Sequence, residues 1–148
     1  MLKSIAGVIV GYVAMFSVAF AAYTAAYFGL GADRAFEPGT YALSGLWVGL
    51  VIAITFIAGL IGGLTCAAIS KSRTTGVVFA LIVVVLGFVF ELPNIMKKDH
   101  TPVARTGDVS NLEAMGKAQP PVWLCLLNPF LAGAAVLIGT RMKKSSAV

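Results

Sequence analysis

Four long runs of this chain carry no formal charge: residues 4–32, 38–70, 74–90 and 118–140. The shortest holds 17 residues, and all are apolar on every side rather than alternating. About 20 such residues in a helix cross a hydrocarbon core of roughly 30 Å. Inside lipid every backbone N–H and C=O must be paired within the protein, so only helices or closed barrels span it. A barrel needs strict apolar/polar alternation, which these runs lack. The chain therefore reads as an all-α integral membrane bundle of four transmembrane helices, at about 4–30, 42–70, 74–92 and 122–140. It forms one membrane domain over 1–148. With 59% hydrophobic residues, 11% charged and a mean hydropathy of +0.93, a soluble domain of 148 residues is excluded.

Charge placement gives the orientation. With four spans both termini share a side, and that side carries Lys3, Lys71, Arg73, Arg141, Lys143 and Lys144 without an acid. All six acids, Asp33, Glu37, Glu91, Asp99, Asp108 and Glu113, fall on the other side, with five basic residues. Basic residues tight against helix ends favour the cytoplasm, so both termini are expected there. Aromatics such as Tyr23, Tyr27, Trp47 and Trp123 gather at the acidic interface. The net charge of +5 is dispersed over helix ends, which suits anionic lipid and argues against nucleic acid. Lys3 and the apolar run after it imitate a secretory signal, but the run continues to Leu30, and a retained span is expected.

Small residues recur at helical spacing. Gly7, Gly11, Ala14, Val18, Ala21 and Ala25 line one stripe of the first helix; Gly45, Gly49, Gly59 and Gly63 form two pairs on the second. In lipid, small residues let backbones approach and so become the adhesive face. These six glycines are the expected helix-packing positions. The loop 31–40 reads as a short outer turn, and the two long first helices suggest a hairpin that protrudes on the outer side.

The outer loop 93–121 is the one sizeable polar region. Ser110 and Glu113 match a capping box, predicting a short amphipathic helix at the outer surface with Leu112, Met115 and Ala118 on its apolar edge. Asn128 and Pro129 fall near the centre of the fourth span, where proline predicts a kink and asparagine needs a partner.

Chemistry is sparse. Cys66 and Cys125 lie at opposite depths, too far apart for a disulfide. His100 is the only histidine, and no ligand spacing joins it to Asp99, Asp108 or Glu113, so no metal and no cofactor are expected. Glu91, at the outer end of the third helix, reads as an interfacial carboxylate, paired with Lys97 or Lys98. No catalytic triad, phosphate loop or nucleophile motif occurs, and an enzyme is not expected.

The stretch 111–133 contains Glu113-Ala114-Met115, then Gln119-Pro120, Trp123 and Leu126-Leu127-Asn128-Pro129. Together with Gly62-Gly63 before Cys66-Ala67-Ala68-Ile69, and Pro38-Gly39-Thr40-Tyr41 before Ser44 and Trp47, it resembles small four-span bacterial inner-membrane proteins of unknown function. Pro121 is an extra proline relative to that pattern. The resemblance implies a bacterial inner membrane and carries no activity.

The expected function is a non-catalytic accessory or scaffolding subunit of a larger membrane complex, with the bilayer and a membrane-protein partner or a homo-oligomer as company. The alternative is an oligomeric small-solute or ion transporter or channel, resting on Glu91, Asn128 and Pro129. A third reading, a lipid-binding protein, would need a polar cluster around Glu91, Asn94 and His100.

Overall fold

A computed structural model of the chain describes residues 1–96 and 101–145. Six helices follow in order: α1 (Leu2–Leu30), α2 (Ala32–Ala35), α3 (Gly45–Ser70), α4 (Arg73–Ile95), α5 (Asn111–Lys117) and α6 (Val122–Ser145). Four of them, α1, α3, α4 and α6, are long and apolar enough to cross a membrane. Among the described residues no strand forms, and the architecture is an all-α helical bundle.

The long helices alternate in direction. α1 packs on α3, α3 on α6 and α6 on α4, while α1 and α4 barely touch. The bundle is thus a curved wall with a slot between its first and last members. The central pair, α3 and α6, runs parallel. Glycine makes that closeness possible. A Cβ on Gly59 would meet the Ala135 Cβ at 2.7 Å, one on Gly63 would meet the Val136 carbonyl, and one on Gly139 the Leu60 carbonyl. Gly7 and Gly11 lie against Cys66, Ser70 and Gly62 in the same way.

Gly45 and Gly49 do not pack: no atom lies within 4 Å of where their Cβ would stand, and Ala21 and Ala25 are exposed. The expectation that they are packing positions is corrected by geometry for contacts within the chain. Two crossing helices touch closely at one point, and small residues count only there. That point is Gly11 against Gly62. Toward the other end the wedge between α1 and α3 is filled by Tyr23, Tyr27 and Trp47, whose ring centroids lie 6.5 and 6.2 Å apart in the two tyrosine–tryptophan pairs.

The end that holds the α1, α2 and α3 junction is closed by a cap. The loop 31–40 is not a short turn there: α2 forms, and Ala32, Ala35, Phe36 and Tyr41 are buried with Tyr27, Trp47 and Ala114. The segment after α4 is laced to it by backbone hydrogen bonds. Tyr41 N donates to Val103 O (3.0 Å), Arg105 N to Gly39 O (2.8 Å) and Gln119 N to Tyr41 O (2.9 Å). The described part of that polar segment, 101–121, is thereby held on the helix ends. Every described acid lies at this end, and Lys3, Lys71, Arg73 and Arg141 at the other.

Two helices run further than the sequence reading gives them. α4 continues through Pro93 to Ile95, because Met96 N still reaches Leu92 O (2.9 Å) and the final turn closes across the proline. With 23 residues α4 is about 35 Å long at 1.5 Å per residue, enough to cross a hydrocarbon core of roughly 30 Å. α6 begins at Val122 but runs to Ser145, which moves Asn128 from the centre to the cap-side third of its helix. α6 is unbroken through Pro129, which is buried with Gly87 facing it.

α5 forms where the capping box placed it, with Ser110 Oγ accepting from Glu113 N at 3.3 Å. The reciprocal half of the box is absent, since the Glu113 carboxylate accepts from Tyr41 Oη (3.0 Å) and Lys117 Nζ (2.8 Å) instead. Its buried residue is Ala114, while Leu112 is 74% exposed. The small residue faces the cap because α5 lies flat on Tyr27 and Tyr41, leaving no room for a leucine.

Candidate functional site: a groove between the first and third spans

The slot between α1 and α4 contains a cavity of about 500 Å³. α1 supplies Met15, Ala19 and Tyr23, α4 supplies Gly87, Phe90 and Glu91, and the floor is Thr55 and Ala58 of α3 with Asn128, Pro129 and Ala132 of α6. A second cavity of about 330 Å³ lies beneath the cap, with Tyr27, Phe36, Trp47, Asn94 and Asn111 in its wall. The two meet at Tyr23, Glu91, Met115 and Asn128, which line both. Both volumes fall in the range of ordinary small-molecule pockets, about 300–1,000 Å³.

Polarity rises along this path. The larger cavity is walled by Tyr12, Phe16, Phe20, Val83 and Ala132, and the outward faces of α1 and α4 beside it are apolar and exposed, at Val13, Phe16, Phe20, Val85 and Val89. At the neck the side chains become hydrogen-bonding. Glu91 Oε2 accepts from Asn94 Nδ2 at 3.1 Å, one helical turn away. Tyr23 Oη lies 3.3 Å from Thr55 Oγ1. Asn111 Nδ2 donates to Thr24 Oγ1 at 3.1 Å, and Tyr27 Oη to Val109 O at 2.6 Å. Asn128 Oδ1 is buried and meets no hydrogen-bond donor.

The sequence reading singled out Glu91 and Asn128 separately, and the fold brings them to one neck. Pro129 adjoins them on the floor of the larger cavity. Asn94 joins through Glu91. Lys97, Lys98, Asp99 and His100, invoked as partners of Glu91 or as part of an outer cluster, lie outside the described residues. Tyr23, Thr55 and Asn111 were not anticipated. Their only sequence signal is polarity within or beside an apolar run, and nothing local says that it faces inward. Gly76, Gly133 and Gly139, which set helix spacing around the groove, carry no regular small-residue repeat that would single them out in the sequence.

Cys66 and Cys125 are both buried, and neither forms a disulfide. Among the described residues no group of three or more His, Cys, Asp or Glu side chains converges to hold a metal ion. No family model, curated protein or solved structure matches this chain.

Proposed function

We propose that this chain is a non-catalytic integral membrane protein that holds an amphiphilic molecule between α1 and α4, tail in the apolar slot and head beneath the cap. One observation supports this reading above the others: the apolar and the polar cavity meet at Tyr23, Glu91, Met115 and Asn128. A molecule diffusing in the bilayer reaches such a slot sideways, with its polar end at the depth of the acidic interface. Charge placement and the resemblance noted above favour a bacterial inner membrane with both termini in the cytoplasm.

Carriage of the molecule to the other face has less support. Away from the cap the slot is closed where the Phe79 ring of α4 lies against Gly11 of α1, and this contact would have to separate. Holding, rather than transporting, suits that rigidity.

The accessory-subunit reading is supported by a different feature. Gly45, Gly49 and Ala53 lie four apart on α3, exposed, after the internal helix contacts have been satisfied elsewhere. A partner's transmembrane helix or a second copy of this chain suits such a face. The two readings are compatible, since a subunit can hold a lipid-like molecule at its flank.

Purification in a mild detergent followed by mass measurement of the intact protein tests both. A tightly retained small molecule, lost in Ala19→Phe where the new ring fills the slot, supports the groove reading. A bare protein that takes up no amphiphile sinks it. Co-purification with a larger assembly, weakened by Gly49→Leu, supports the accessory role.

A further inference from the structure

The reading of the groove as an amphiphile site leaves the head unspecified, and the neck restricts it. Among the described residues that line either cavity, Glu91 is the only one with a formal charge, and no lysine or arginine stands with it. A carboxylate offers about four acceptor sites, and the contact with Asn94 occupies one of them. Asn128 Oδ1 is a second acceptor, buried without a donor. The hydroxyl of Tyr27 and the amide of Asn111 are turned to protein acceptors, so they do not compete for these oxygens. The cavity under the cap is also walled by the rings of Tyr23, Tyr27, Phe36 and Trp47. Aromatic rings around an ammonium attract it through their negative faces. Acceptors, the Glu91 carboxylate and aromatic walls all ask for the same thing: a cation that donates hydrogen bonds.

We infer that the site takes the protonated amine head of a cationic amphiphile that carries no phosphate, with Glu91 as counter-charge and Asn128 Oδ1 as a further acceptor. This rests on the amphiphile reading above. Phosphate is disfavoured because it would lie against Glu91 with no cation among the described residues of the cavity wall to neutralise it. A primary ammonium has three donors, which matches two separate oxygens better than a hydroxyl does.

The test uses the full chain in a neutral detergent. Tetradecylamine, tetradecanol, tetradecanoate and a lysophosphatidylethanolamine of the same chain length are added in turn, and bound fractions are read by mass of the intact protein. The amine should bind about tenfold more tightly than the alcohol and more tightly still than the two phosphate- or carboxylate-bearing molecules. In Glu91→Gln the amine should lose most of its advantage over the alcohol. Asn128→Ala, which keeps the carboxylate, should weaken the amine by a smaller factor and serves where Glu91→Gln does not fold. Equal binding of amine and alcohol, undiminished amine binding in both variants, or preference for the lysophospholipid would overturn the inference while leaving the groove reading intact. No binding of any of the four would overturn the groove reading itself.

Discussion

Arg105 and Asp33 stand 72 residues apart in the chain and 2.8 Å apart in the cap, yet their surroundings are opposite. The Arg105 side chain is 4% exposed and that of Asp33 86%. Arg105 donates through its other terminal nitrogen to Gly107 O (2.7 Å), and its guanidinium lies 5.9 Å from the centre of the Phe36 ring. Its Nε, also buried, has no acceptor. Losing one partner of a buried pair costs several kcal/mol, and losing one of an exposed pair costs 0–1. With one partner in water, Asp33→Asn should cost about 1–2 kcal/mol. Arg105→Ala should cost more, since it also empties packed space over Phe36. Hydrogen exchange should show the loss confined to 32–44 and 101–109, with the spans unchanged.

The Tyr41, Glu113 and Lys117 contact gives the cap a defined pH response. The Lys117 ammonium hydrogen-bonded to Glu113, helped by the Tyr41 hydroxyl, holds the Glu113 carboxyl below its ordinary range. The same hydrogen bond and its charge push Lys117 up. A lowered acid stabilises the fold above its unfolded value and loses that contribution as pH falls through its folded value. A raised base contributes below its unfolded value and loses this as pH rises through the folded one. Protection of the α5 amides should therefore be flat through neutrality, fall off only in acid below the ordinary carboxylate range, and fall again only in strong alkali. Glu113→Gln should remove the acid step and leave the alkaline one smaller. An acid step that persists in that variant would assign it to another carboxylate.

The spans were legible because each rests on a local property, a run of apolar residues long enough to cross lipid. The capping serine of α5 was legible for the same reason: Ser110 needs only its own neighbour three residues on. The cap was not. Its centre is Arg105 against Asp33 and Phe36, and nothing near residue 105 distinguishes that arginine from a solvated one. The glycine stripes show the limit in another form. Gly7, Gly11, Gly45 and Gly49 look alike in sequence, but closeness depends on where two helices cross, which is set by both partners. Glu91 and Asn128 were each visible as polar residues at odds with their surroundings. That they share a neck follows from α4 and α6 lying side by side, and no spacing within either helix reports it.

Glycine substitutions should separate positions that the sequence makes equivalent. Gly63→Ala sets a methyl against the Val136 carbonyl, so α3 and α6 must move apart. Overpacking of this kind costs about 1–3 kcal/mol. Gly45→Ala and Gly49→Ala meet open space, and replacing glycine in a helix gains about 0.5–1 kcal/mol. Reversible unfolding by a denaturing detergent should thus show opposite signs at positions 63 and 49. A loss at 49 in the isolated chain would mean that this face is covered, by a second copy that the oligomeric mass would reveal.

Asn128→Leu sets stability against binding. The Asn128 carbonyl oxygen is buried without a donor, and such a group costs about 1–3 kcal/mol. Leucine has a similar volume and suits the apolar floor formed by Pro129 and Ala132. The empty protein should therefore unfold later in the variant, by about 1–2 kcal/mol after allowance for loss of the amide's other contacts. If the oxygen waits for a ligand donor, the same substitution should reduce the fraction of protein that retains an amine-headed amphiphile. A gain in stability joined to a loss of binding is the mark of a residue kept for its site at the expense of the fold. A loss of stability instead would show that Asn128 serves packing between α4 and α6, and its place at the neck of the groove would then be structural.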